Sequence, residues 1–121
     1  PTWRGWRKGR DIEWRTKLGH MNEDARTAER EQRCEDVASF NALVGNGCDA
    51  PDSMHAFLAN SASRLVALQA DDILGVDEQA NLPGTVFEHP NWRRRLPVAA
   101  SDFADDERFR RTAEIMARAG R

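Results

Sequence analysis

The chain is short of the features that usually sort a sequence quickly. Its 121 residues hold two cysteines, Cys34 and Cys48, which form no Cys-x-x-Cys pair. Its three histidines, His20, His55 and His89, are too scattered for a metal-ligand spacing. A structural metal is therefore not expected, and free thiols suit a reducing compartment such as the cytoplasm. Cys34 reads as a small buried residue on a helix face and Cys48 as a loop thiol. No apolar run approaches the length of a membrane span, and no basic-then-apolar leader opens the chain, so neither a membrane partner nor export is expected. An excess of positive charge is also missing: 18 Lys and Arg stand against 20 Asp and Glu, for a net charge of -2. Phosphate-backbone binding rests on a clear cationic surplus, so no nucleic-acid partner is expected. Internal repeats and low-complexity tracts are absent.

What is present is the content of one domain, or of a piece of a larger one. The 40% hydrophobic and 31% charged fractions allow a modest core. Basic residues are concentrated locally, with six between Pro1 and Lys17 against two acidic ones, and a second knot at Arg93, Arg94 and Arg95. The opening Pro1-Thr2-Trp3-Arg4-Gly5-Trp6 has no initiator methionine and already carries two tryptophans, which gives the expectation of a fragment that starts inside an architectural element. Trp3 and Trp6 are three apart, so one helical turn puts them on one side. Two readings of these rings stay open: packing against neighbouring helices, or a stacking platform for a sugar or base.

Further along, Asn22 is placed to cap a long helix whose first turn carries Glu23 and Asp24. Apolar residues from Ala25 and Ala28 through Val37, Ala38, Phe40 and Leu43 or Val44 recur at three-and-four spacing, and Gly45-Asn46-Gly47 is a stop. Pro51 and Asp52 open a second helix with Met54, Phe57 and Leu58 on one stripe. His55 within it reads as a capped or surface residue. Arg64-Leu65-Val66-Ala67-Leu68-Gln69 is the one run with the composition of a buried parallel strand, followed by polar Asp71 and Asp72 at its C-terminal end. That order of helix, buried strand and polar strand end is the unit of an α/β protein, whose ligand sites gather at such ends. A last helix is expected from Ser101 or Asp102 through Phe109, Ala113, Ile115 and Met116 to Gly120.

Between strand and last helix lies Gln79 to Pro97, QANLPGTVFEHPNWRRRLP, with three prolines, a glycine, two asparagines and a tryptophan. So many breakers exclude a long helix or a central strand and require specific turns, and shaped loops often carry function. The longer run LVALQADDILGVDEQANLPGTVFEHPNWRRRLP resembles the C-terminal signature of the 4-alpha-glucanotransferases, also called amylomaltases or disproportionating enzymes. The opening PTWRGWRKGRDIEWR resembles that family's PTLxGWWxGxDIxWR, and SMHAFLANSASRLVALQ resembles its helix-into-last-strand step. The similarity runs through essentially the whole chain, with Glu23 to Val44 least distinctive.

The resemblance implies an α/β chain forming the C-terminal βα portion of a (β/α)8 TIM barrel, predominantly helical in isolation, with residues 1–121 an incomplete part of a glycoside-hydrolase-type catalytic domain. It implies transfer of α-1,4-glucan segments between maltooligosaccharides or to glucose by a retaining double displacement, without metal or organic cofactor. It places no catalytic residue in this chain: the stabilising aspartate belongs to a His-Asp pair just before the segment matching Pro1-Thr2, and the nucleophile and acid/base lie further upstream. Arg64 to Gln69 would be the eighth strand. Thr2, Asn81, Pro83, Gly84, Thr85, Asn91 and Trp92 are the substrate-binding candidates, with the α-1,4-glucan and the rest of the barrel as partners. Asn81 would bond sugar hydroxyls, Pro83-Gly84 would fix a turn, and Gly84 would allow close backbone approach. Trp92 would either pack beneath the loop or stack on a sugar, and one or two of Arg93, Arg94 and Arg95 would pair with carboxylates.

Asp71 and Asp72 do not offer a catalytic pair, because adjacent residues at a strand end point to opposite sides, while a retaining mechanism needs two carboxylates about 5 Å apart across one bond. Asp72 reads instead as the cap of the turn Ile73-Leu74-Gly75, and Asp71 as facing solvent or a basic neighbour. A non-catalytic carbohydrate-binding module, keeping Trp3, Trp6 and the Asn81 to Trp92 loop as a glucan-contacting face, is the alternative function.

Overall fold

The computed structural model describes residues 1–44 and 51–121; the expected helix stop at Gly45-Asn46-Gly47 and the loop thiol Cys48 lie outside them. Among the described residues, six α-helices follow in order: α1 (Trp3–Arg7), α2 (Arg10–Lys17), α3 (Glu23–Val44), α4 (Asp52–Ala59), α5 (Ala70–Ile73) and, after a 3-10 turn at Ala100–Asp102, α6 (Glu107–Arg118). Thr2 starts α1: its Oγ1 accepts the Gly5 N–H at 3.0 Å. Gly9, at φ +70°, makes the left-handed corner into α2, whose first turn carries Asp11 and Glu13 and whose last turn carries Arg15 and Lys17, each sign at the end the helix dipole favours.

Asn22 caps α3 as its position suggests, its Oδ1 accepting the Ala25 N–H at 2.8 Å. The apolar stripe expected along that helix does not form a core face, since none of its 22 residues is fully buried, and Cys34 is exposed rather than buried. The helix is tied down by charge and rings instead. Arg33 grips both carboxylate oxygens of Asp11 at 2.9 Å each and lies 4.5 Å from the centre of the Trp6 ring, and Phe40 packs on Trp3 at 4.8 Å. Arg15 pairs with Glu29 and Arg30 with Glu13 along the same seam.

Helix α4 begins after Pro51 as expected and packs on α6, with Arg111 and Asp52 joined at 2.6 Å. The reading of His55 as a capped or surface residue is wrong: it is fully buried, and among the described residues neither ring nitrogen has a hydrogen-bond partner. Arg121 closes the far end of α4, donating from Nε to the Ala59 carbonyl at 3.0 Å and from Nη2 to Ser61 at 2.7 Å, which satisfies carbonyls that a helix end leaves orphaned. The last helix starts later than expected, because Asp106 caps it by accepting the Arg108 N–H at 2.9 Å, and Ser101 and Asp102 fall in the 3-10 turn.

The largest departure is at Arg64 to Gln69. This segment is extended at Gln69 but pairs with nothing, Leu65 is 90% exposed, and no strand is formed among the described residues. Composition makes a segment suited to a sheet, but a ladder needs a neighbouring backbone to accept its N–H and C=O groups. The expected strand is therefore not formed, while the predominantly helical character expected of an isolated portion of a larger domain is what the described residues have; their buried apolar core is Ile12, Ala59, Ile73, Leu74 and Leu82.

Candidate functional site

The segment from Gln79 to Pro97 folds as a loop of consecutive turns held from beneath. Leu82-Pro83-Gly84-Thr85 is a β-turn closed by the Thr85 N–H on the Leu82 carbonyl at 3.3 Å, with Gly84 at φ +82°, the third-position conformation of a type II turn that proline at the second position favours. Asn91 is the pin of the loop. Its Oδ1 accepts the Leu82 N–H and the His89 Nδ1–H, both at 2.9 Å, and its Nδ2 donates to the Thr85 carbonyl at 3.1 Å and Thr85 Oγ1 at 2.9 Å. The amide is fully used inside the loop, and so is the Thr85 hydroxyl, which donates to the Leu82 carbonyl at 2.7 Å.

Of the predicted residues, Pro83, Gly84 and Trp92 are exposed. Trp92 is 77% exposed, so packing beneath the loop is not its place. Its backbone sits at φ 58°, the only positive value among the described non-glycine residues, and its N–H is anchored on the Ala80 carbonyl at 2.9 Å. A left-handed conformation costs a non-glycine residue about 1–2 kcal/mol, which the anchoring bonds of the turn must offset. Asn81 is half-buried, and its amide makes no hydrogen bond among the described residues. Pro83 and Gly84 are exposed at the turn. Thr2 lies elsewhere: it is 2% exposed, and beyond capping α1 its hydroxyl donates to the Asp77 carbonyl at 3.1 Å.

A carboxylate not singled out in the sequence fastens this loop to the helices. Glu78 accepts from Arg10 Nε at 2.7 Å and from the Trp14 indole N–H at 2.8 Å, and Arg94 stands 3.7 Å away. Burial pushes its pKa upward, but the Trp14 and Arg10 bonds outweigh burial and hold the carboxyl below its ordinary range. Beside it, His89 is buried and meets the Trp14 ring edge-on at 4.9 Å. The i, i+4 spacing of Arg10 and Trp14 signals a shared face in need of an acceptor, but not which acceptor.

Asp72 also has a role other than the one expected. Its Oδ1 accepts the Trp3 N–H at 2.5 Å, so it caps α1 across the fold and not its own turn. Burial raises its pKa, opposed by that bond and by His55. Trp3 and Trp6 do share one side, stacked at 5.6 Å with an interplanar angle of 18°, and Trp3 also packs on Phe40. Of the three arginines, Arg94 pairs with Glu78, while Arg93 and Arg95 are exposed. Among the described residues, no group of three or more His, Cys, Asp and Glu side chains is placed to hold a metal ion, and no helix is long and apolar enough to cross a membrane.

The segment is thus a pinned Pro-Gly loop that leaves an indole exposed and an amide unspent. Comparison with known proteins gives the chain a family. The sequence profile described as 4-alpha-glucanotransferase matches residues 1–100, and the chain belongs to that family. It is similar to the 4-alpha-glucanotransferase of Mycobacterium tuberculosis (strain ATCC 25618 / H37Rv), 30% identical over 134 residues that cover 96% of this chain and 18% of the relative. It is also similar to that of Haemophilus influenzae (strain ATCC 51907 / DSM 11121 / KW20 / Rd), 30% identical over 104 residues that cover 72% of this chain and 15% of the relative. The chain thus spans less than a fifth of these relatives. No solved structure gives a significant match.

Proposed function

We propose that residues 1–121 are the C-terminal part of a 4-alpha-glucanotransferase barrel and that they act on glucan only together with the rest of it, in the cytoplasm. In this reading Arg64 to Gln69 becomes the last barrel strand once a neighbouring strand is supplied, and the segment from Asn81 to Trp92 forms a wall of the substrate groove. The catalytic carboxylates lie upstream of Pro1. The whole enzyme moves α-1,4-glucan segments between maltooligosaccharides or to glucose, one carboxylate attacking the anomeric carbon and a second serving as acid and then base.

The observation that carries the reading is the loop that matches the family most specifically: it is pinned by Asn91 from within and leaves Trp92 and Asn81 for a ligand. Trp92 supplies a stacking face for a sugar ring and Asn81 a donor and acceptor for its hydroxyls, while Pro83 and Gly84 set the approach of the backbone. Asn91 and Thr85 contribute by holding the wall, and Thr2 by tying the start of α1 to Asp77, ahead of the loop.

Trp92→Gly, made in the chain joined to its upstream reading frame, tests this assignment. Glycine is at ease at φ 58°, so thermal stability should stay within about 1 kcal/mol. Loss of a stacking face should raise KM for maltotriose about tenfold. An unchanged KM would remove Trp92 from the substrate wall.

A further inference from the structure

The segment from Gln79 to Pro97 leaves and returns through one neck. There the Trp92 N–H bonds the Ala80 carbonyl at 2.9 Å, and just outside that bond Arg94 Nη1 stands 3.7 Å from Glu78 Oε2. Glu78 and Arg94 thus flank the neck, one on the outgoing and one on the returning chain. The Glu78 side chain is 17% exposed, so its carboxylate needs partners inside the fold. Its two oxygens are divided between the neck and α2. Oε1 takes the Arg10 guanidinium, through Nε at 2.7 Å and through Nη2, while Oε2 takes the Trp14 indole N–H at 2.8 Å and faces Arg94.

Trp14 carries the same connection into the loop. Its ring meets His89 edge-on at 4.9 Å, His89 donates from Nδ1 to Asn91 Oδ1, and Asn91 holds the turn at Leu82 and Thr85. One carboxylate therefore ties α2 to the neck through Arg94 and to the pin of the loop through Trp14 and His89. Trp92 lies between these two attachments at φ 58°, a conformation that persists only where its surroundings fix it. The bonds of Glu78 go to Arg10, Trp14 and Arg94, and not to Trp92 or Asn81. Any effect on a ligand must pass through the aim of the loop, and small misplacements of a binding group are costly.

We propose that Glu78 is a positioning residue of the substrate wall: by fixing the neck against α2 it sets how Trp92 and Asn81 meet a glucan, and so governs substrate affinity without entering the chemistry. The inference rests on the reading of the Asn81 to Trp92 segment as that wall. A glutamine at this position keeps the shape but has one accepting oxygen, so either Arg10 or the Trp14 indole loses its acceptor.

Two measurements test the role. In the 121-residue chain, Glu78→Gln should speed hydrogen exchange of the Trp92 backbone amide at least about tenfold, while the amides of α6 keep the parent's rates. In the chain joined to its upstream reading frame, the same variant should raise KM for maltotriose about threefold to tenfold and leave kcat within about twofold, the pattern of weakened binding with intact chemistry. Glu13→Gln, which removes the other carboxylate paired with Arg10, should change neither reading. Should Glu78→Gln lose its helical circular dichroism, Arg94→Gln, at an exposed position on the neck, makes the same comparison. Trp92 exchange at the parent's rate, equal acceleration in α6, an equal effect of Glu13→Gln, or a fall in kcat at constant KM overturns the positioning role. Trp92→Gly separates this inference from the wall itself. A raised KM in that variant with the parent's KM in Glu78→Gln overturns the role of Glu78 alone, whereas the parent's KM in both overturns the wall and the role together.

Discussion

A methyl group at Gly5 would sit 2.0 Å from the Asp77 carbonyl oxygen, closer than any side-chain carbon can come to backbone. Gly5 is there for contact, letting α1 lie directly on the segment that leads into the loop, while Thr2 bonds the same carbonyl. Gly5→Ala should therefore destabilise the chain by about 1–3 kcal/mol, read as a lowered urea midpoint. A midpoint equal to the parent's would mean that α1 is not pressed against Asp77. His55 gives a pH prediction. Burial holds its pKa below the ordinary 6.5, against the opposing pull of Asp52 on its own helix and Asp72 on α5; Arg111 on α6 is taken up by Asp52. With the folded pKa depressed, the neutral ring contributes stability that is complete above 6.5 and is lost as pH falls through the folded value. His55→Leu should flatten the dependence of stability on pH just below 6.5, as followed by thermal melts at stepped pH. A slope unchanged by the substitution would contradict the burial of this ring.

Helix α3 shows what element-scale reasoning could and could not see. Its start was legible because Asn22, Glu23 and Asp24 act within one turn of chain, and so was the Pro83-Gly84 turn, where backbone preference is local. Its mode of attachment was not. Three-and-four spacing of small residues marks a face but does not say that Asp11, Glu13 and Glu29 will meet Arg33, Arg30 and Arg15 across a seam. The same limit hid Glu78 as the anchor of the loop, Asp72 as the cap of a helix 69 residues earlier, and the burial of His55. The strand failed for the complementary reason: Leu65 to Leu68 have the right composition, but a strand is a relation between two segments. An element attached by ion pairs should loosen when they go. Arg33→Ala, which strands the partly buried Asp11 and empties the space over Trp6, should cost about 1–3 kcal/mol. It should also speed amide exchange in α3 more than in α4 or α6. Uniform exchange across the three helices would contradict the seam.

At the scale of the whole molecule, the surface is larger than the mass requires. A compact monomer of 13.7 kDa exposes about 6,600 Å², whereas this chain exposes 8074 Å². The difference of about 1,500 Å² is comparable to what one protein–protein interface buries. Leu65, Val86, Phe87 and Trp92 are among the large apolar side chains left in it. A piece of a larger barrel has this property, since its helices and its unpaired extended segment are built to be covered. The central claim is that the loop belongs to a glucanotransferase whose catalytic carboxylates lie outside these residues. Its most direct test is maltotriose disproportionation, scored as glucose and longer maltooligosaccharides, by the 121-residue chain and by the same chain joined to its upstream reading frame. Transfer by the joined protein alone is the predicted result. Transfer by the 121 residues alone would contradict it and return Asp71 and Asp72 to consideration as the reacting groups.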